Sequence, residues 1–171
     1  MRIDGEWRQC DDDIVRPMIR GQILTADGRW QPAEFPVDTG ADCTVLSAAL
    51  SSALGLMPIA PQGRLGGLGG TARSVALQAE IRLQRDTGGP VLFSGQFAAV
   101  VELEALDISV LGRDITGLFA VIVDQPSGTY VCSANDTATS SRRLDRTNRG
   151  QFSHHHDLRS DGRNERVRIS L

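Results

Sequence analysis

An acid followed at once by a small hydroxyl residue and a glycine stands at Asp38-Thr39-Gly40. It is reached through Phe35-Pro36-Val37, and a second apolar pair, Val45-Leu46, resumes a few residues beyond. A carboxylate in that position can cap the turn that follows the strand. It can also be delivered to a fixed place for acid–base work. The apolar runs on both sides favour delivery, because they tie the turn to strands that must lie in a core. Gly40 lets other backbone approach where a Cβ would stand in the way.

Other groups that could do chemistry are less well placed. Cys43 lies five residues past Asp38, but no His near it in sequence could take a proton from the thiol. It reads as a small buried hydrophobe. His154-His155-His156 are adjacent in a polar stretch, and neighbouring side chains of that kind do not preorganise a metal site. Asn135-Asp136-Thr137 fits a glycosylation sequon, which has meaning only in a secreted chain. No metal and no cofactor is therefore expected.

The elements that must position Asp38 are mostly strands. Val15–Leu24 and Trp30–Val37 flank Ala26-Asp27-Gly28-Arg29 and read as a hairpin on an Asp-Gly turn. Ser47–Leu54 lacks β-branched residues and reads as a short helix, with Ser47 as N-cap and Gly55 as stop. Gly63–Gly70 is a glycine-dense loop between two extended stretches. Further strands are predicted at 74–84, 91–102, 119–124 and 129–132, with a helical turn at 113–118. Mostly strand with one or two short helices favours a barrel or sandwich.

Composition divides the 171 residues unevenly. Residues 1–14 end in Asp11-Asp12-Asp13 and read as a disordered lead-in. Residues 15–132 carry the apolar side chains of one domain. Residues 133–171 are rich in Arg and Ser with no sustained apolar period, and read as a disordered tail. Up to Cys132 there are ten Arg against sixteen Asp and Glu, and beyond it eight Arg against five acids, so the basic excess sits in the tail. A solvated basic tail does not argue for nucleic acid. All 18 basic residues are Arg, the usage of a GC-rich, bacterial genome. No run approaches the roughly 18 apolar residues of a membrane span, and the acidic N-terminus is unlike a signal peptide. Cys10, Cys43 and Cys132 are odd in number and far apart, which fits reduced thiols and a cytoplasmic location.

The segment Val-Asp-Thr-Gly-Ala-Asp-Cys-Thr-Val-Leu-Ser at 37–47 resembles the active-site loop of the retropepsins, the retroviral-type aspartic proteases. Their second signature has its counterpart in Val110-Leu111-Gly112-Arg113-Asp114, and Arg16-Pro17 before an apolar strand is similar to their N-terminal part. Gly63-Arg-Leu-Gly-Gly-Leu-Gly-Gly70 falls where the family has its flap, with Gly66, Gly67, Leu68, Gly69 and Gly70 at the tip. The resemblance covers about residues 16–124. It implies an all-β, closed acid-protease (retropepsin-like) barrel with one or two short helices and a glycine-rich flap.

The same resemblance implies an aspartic endopeptidase with Asp38 catalytic. Thr39, Gly40 and Ala41 would support the loop, with Thr39 bonding across to a partner's loop. Asp42 would pair with Arg113 in a partly buried ion pair, reached also by Arg16 of the other subunit, and could touch substrate backbone. Leu111, Gly112 and Asp114 would form the second loop. Such chemistry needs two carboxylates sharing one proton. Asp-Thr-Gly occurs again at Asp86-Thr87-Gly88, but there it joins two predicted strands and the chain shows no internal repeat, so the second carboxylate is expected from a second copy in a homodimer. A peptide or protein substrate is implied, with no nucleic-acid or membrane partner. The alternative is a retropepsin-like dimerisation or peptide-binding module without hydrolysis, since a fold alone does not certify an activity.

Overall fold

The computed structural model describes residues 1–67, 70–134, 159–160 and 167–171. The strands are β1 (Arg2–Asp4), β2 (Glu6–Gln9), β3 (Val15–Leu24), β4 (Trp30–Pro36), β5 (Val45–Leu46), β6 (Pro58–Gly67), β7 (Gly70–Leu83) and β8 (Val91–Val100). They continue with β9 (Ala120–Asp124), β10 (Thr129–Ser133), β11 (Arg159–Ser160) and β12 (Val167–Ser170). Helices α1 (Ala48–Leu54) and α2 (Arg113–Thr116) and a 3-10 turn at Leu103–Ala105 complete the described elements. The all-β fold with two short helices and a glycine-rich hairpin is the one expected from the sequence.

The larger sheet is built on β3, β7 and β8. β3 pairs antiparallel with β4 along Met18–Leu24 and with β7 at Gly21–Ile23, and β7 pairs with β8 from Ser74 to Leu83. The hairpin between β3 and β4 turns at Gly28, whose φ of 81° is open to glycine, and Gly28 N–H donates to the Thr25 carbonyl at 3.0 Å. Strand β8 is buried along nearly its whole length, as a strand covered on both faces should be. Phe35, Phe93, Phe97, Ile19, Ile23 and Ile81 meet in the core, where Leu111 and Ile115 join them.

A second sheet, in the order β1-β10-β9, lies against the same core through Ile3, Tyr130 and Cys132. β1 and β2 are one run of chain broken at Gly5, and β2 belongs to the larger sheet, so the N-terminus stitches the two sheets together. Gly5 is needed there. A Cβ would lie 2.1 Å from the Tyr130 ring, and its N–H donates to the Tyr130 carbonyl at 2.8 Å. The strand pairs form an open path rather than a closed ring.

Two terminal expectations change. Residues 1–14, expected as a disordered lead-in, carry the paired strands β1 and β2, with Ile3 buried and Trp7 edge-on to Tyr130 at 6.5 Å. The solvated-tail reading of 133–171 does not hold for its last residues. β12 pairs parallel with β8 at Val91–Ser94, and Ile169 is 3% exposed. Gly95 leaves room for Leu171, which a Cβ would meet at 2.9 Å. His154–His156 and the sequon at Asn135 lie outside the described residues. Ile169→Ala should therefore lower stability by about 2–4 kcal/mol, the usual cost of emptying a buried aliphatic site. Urea unfolding reads it, and an unchanged midpoint would show that β12 contributes nothing.

Candidate active site

Two loops cross to make the site floor. The first leaves β4, runs through Asp38–Thr44 and enters β5. The second is Val110–Asp114, which enters α2. The crossing is made by backbone. Asp38 N–H donates to the Leu111 carbonyl (3.0 Å), Leu111 N–H to Pro36 (3.1 Å), and Arg113 N–H to Ala41 (2.9 Å). Val37 bridges Leu111 in parallel, and Val45 bridges Val110 in the antiparallel sense. At the point of contact a Cβ on Gly112 would lie 2.2 Å from the Cys43 carbonyl carbon, which no side chain survives.

Thr44 and Asp114 lock this crossing. The Asp114 carboxylate accepts from Thr44 N–H (2.8 Å) and from the Thr44 hydroxyl (2.7 Å). The hydroxyl oxygen in turn accepts from Gly112 N–H at 3.1 Å. Asp114 also accepts from Ile115 N–H at 2.9 Å in the first turn of α2. Thr44 is fully buried, so these bonds have no competition from water. A little further along, buried Ser109 Oγ accepts from Ser47 N–H (2.9 Å) and donates to Ser47 Oγ (3.3 Å). Ser47 caps α1 as the sequence predicts, accepting from Leu50 N–H.

On this floor Asp38 is exposed. Its Oδ1 accepts from Gly40 N–H at 2.8 Å and Ala41 N–H at 3.2 Å, which fixes the carboxylate plane. Oδ2 has no hydrogen-bond partner among the described residues. A Cβ on Gly40 would sit 3.1 Å from Oδ1, so glycine keeps this short contact open. Thr39 is exposed beside it. The Cys43 thiol is pushed up by burial and by the nearby Asp114 and Asp42 carboxylates, the wrong direction for a thiolate nucleophile.

The remaining sequence candidates are placed as follows. Asp42 and Arg113 do form an ion pair, but it is open to solvent, with side chains 84% and 59% exposed rather than partly buried. Within one protomer Arg16 holds Asp12, through bonds of 2.7 and 2.5 Å, and this pairing lowers the Asp12 carboxyl to about 2. Gly66, Gly67 and Gly70 lie at the end of the β6–β7 hairpin, where a Cβ on Gly67 or Gly70 would meet nothing. Leu68 and Gly69 lie outside the described residues. Arg64 donates to Thr71 Oγ1 across this hairpin at 2.7 and 3.0 Å. Sequence reasoning gave Thr44 and Ser109 no role. Thr44 carried a signal in its place six residues after Asp38, whereas nothing local marks Ser109.

Among the described residues no group of three or more His, Cys, Asp or Glu is arranged to hold a metal, and no helix is long and apolar enough to cross a membrane. The strand-delivered carboxylate of Asp38 thus stands on two crossed loops of a β-protein. The sequence profile of the aspartyl protease family matches residues 20–115, which include both loops. The chain belongs to the aspartyl protease family. Among solved structures it is similar to EIAV protease complexed with the inhibitor HBY-793, at 23% identity and a TM-score of 0.46, over 60% of this chain and 86% of that one. It is also similar to a retropepsin-like aspartic protease from Rickettsia conorii, at 19% identity and a TM-score of 0.48, over 77% of this chain and 88% of that one. No curated protein matches the chain.

The two carboxylate contacts in the site should differ sharply in energy. Asp114→Ala strands the buried Thr44 N–H and hydroxyl and should destabilise by about 2–4 kcal/mol. An Asp42→Asn, Arg113→Gln double-mutant cycle should give a coupling below about 1 kcal/mol in protomer unfolding, because water screens both side chains. Denaturant titration of the four variants checks both. A coupling larger than the Asp114 effect would reverse the assignment.

Proposed function

We propose that the chain is one half of an aspartic endopeptidase, in which Asp38 of two identical subunits forms the catalytic pair. The observation that supports this reading most directly is the state of Asp38. One oxygen is fixed by two backbone N–H groups, and the other is left free at an exposed surface. A carboxylate kept only for a turn would have no reason to be mounted on a locked crossing of two loops.

With two such groups about 3 Å apart, like charge prevents both from ionising, and they share one proton. The unprotonated carboxylate takes a proton from water as the water oxygen attacks the scissile carbonyl. The protonated one gives its proton to the carbonyl oxygen, producing a tetrahedral diol. Collapse of the diol breaks the C–N bond and returns a proton to the leaving amine. No redox step and no cofactor enters. An extended substrate would lie as an added strand between the floor and the β6–β7 hairpin, held by backbone hydrogen bonds.

Asp38→Asn should lower peptidase activity by at least about a thousandfold, since acid and base are lost from both halves at once, while far-UV dichroism stays unchanged. Activity per subunit should also fall on dilution through the dimer dissociation range. Hydrolysis persisting in the Asn variant would sink the mechanism. A purified wild-type dimer that binds peptides without cutting them would favour a binding module instead.

A further inference from the structure

Strand β8 has two edges, and β7 holds one of them from Val91 to Val100. The other edge is shared. β12 pairs with it in parallel at Val91–Ser94, and β5, which leads the chain out of the Asp38 loop, pairs with it in parallel at Ala98 and Ala99. The two strands therefore run in the same direction along one line, β12 first. Leu171 N–H donates to the Ser94 carbonyl at 2.9 Å, and Leu171 lies against Gly95. From Gly95 to Ala98, the partner of Val45, is roughly 10 Å at the usual strand rise.

The seat of β12 is specific. A Cβ on Gly95 would come 2.9 Å from the Leu171 Cβ and 3.1 Å from its carbonyl oxygen, so a larger residue there pushes the strand away. Ile169 is buried and stands beside Phe93 in the register. Phe93 in turn packs edge-on to Phe119, with ring centroids 6.2 Å apart. Phe119 follows α2, the helix whose Asp114 bonds Thr44. β12 is thus linked to both loops of the crossing, to the first along the edge that β5 continues and to the second through Phe93 and Phe119.

We infer that β12 is a positioning element for Asp38, and that Ile169 and Leu171 are its positioning residues. They act through β8, β5 and α2. The crossing moves as a unit, because Asp38 N–H bonds Leu111 and Thr44 bonds Asp114 across it. A small shift of β5 along or away from β8 therefore reaches the carboxylate, and small misplacements of a reacting group cost rate steeply. This rests on the reading of Asp38 as catalytic.

The test uses the full chain and loosens the joint from both sides, with Leu171→Ala on β12 and Gly95→Ala on β8. With an internally quenched fluorogenic peptide that the wild-type chain cuts, each should lower kcat about tenfold and leave KM within about twofold. Leu171→Met, which nearly keeps the volume, should restore the rate. Hydrogen exchange reads the same coupling without a substrate. The Asp38 and Arg113 amides, which bond across the crossing, should exchange at least about tenfold faster in both variants, while amides of β3 change less than about twofold. Ile23→Val trims a fully buried residue of β3 as a control for lost stability, and should leave kcat and the crossing amides as they are. Exchange that rises only at β8 and β12, or equally in every strand, makes β12 a stabilising strand and nothing more. So does a KM rise with kcat unchanged, or a kcat loss shared by Ile23→Val. A wild-type chain that cuts no peptide overturns the reading of Asp38 as catalytic, and the exchange result then still decides whether β12 holds the crossing.

Discussion

Where the loop after β4 passes the loop before α2, two backbones lie so close that only a glycine fits between them. Gly112 has the Cys43 carbonyl where its Cβ would be, and the neighbouring peptide groups bond across the gap in both directions. A crossing this tight leaves buried polar groups that must find partners, and Thr44 and Asp114 supply them. The position of Asp38 follows, because its own N–H is one of the crossing bonds and its carboxylate plane is fixed two residues later at Gly40. Leu46 on one side and Leu111 and Ile115 on the other anchor both loops in the core. The placement of Asp38 is a matter of packing geometry, since its Oδ2 has no hydrogen-bond partner among the described residues.

The same geometry separates partly buried from exposed charge. Asp114 is half-buried over the fully buried Thr44, so its bonds are shielded from water and their loss strands buried donors. Asp42 and Arg113 touch as well, yet lie open to solvent, and a screened pair of this kind adds little to the protomer. Proximity in a contact map does not distinguish the two cases, and burial does. On the proposed reading, a second subunit covering this face would change the balance by removing water from around Asp42.

Much of the fold was legible from local chemistry. The Asp-Gly turn at Gly28, the Ser47 cap, the Gly55 stop and the alternation of β3 and β7 are encoded within a few residues of where they act. So was the pairing of Asp42 with Arg113, through the resemblance of both loops to one family, although its exposure was not. What escaped depended on distant partners. β1 and β2 are short and polar, and become strands because Ile3 and Trp7 find the core. Ile169 and Leu171 are isolated apolar residues whose value appears only beside β8. Thr44 and Asp114 are 70 residues apart, and Ser47 and Ser109 are 62 apart, so no spacing rule links them. Arg16 took a local partner, Asp12, four residues away across the β2–β3 turn, an acid that belongs to this chain's own Asp11-Asp12-Asp13 run.

The crossing of the two loops and the β6–β7 hairpin are built on opposite physical terms. The crossing is held by backbone bonds, a buried hydroxyl and core packing. The β6–β7 hairpin has register shifts at Pro58/Ala60 and Pro61/Gly63, a positive φ at Gly63 and Gly70, and at Gly67 and Gly70 nothing within reach of an added Cβ. Segments with few contacts and many glycines lie at the low end of local stability and order only when something is bound against them. On the proposed reading, a substrate that is itself a strand would order the hairpin as it binds, so closure and recognition would draw on the same hydrogen bonds. The rigid floor then only has to hold one oxygen of Asp38 in place and keep the other free.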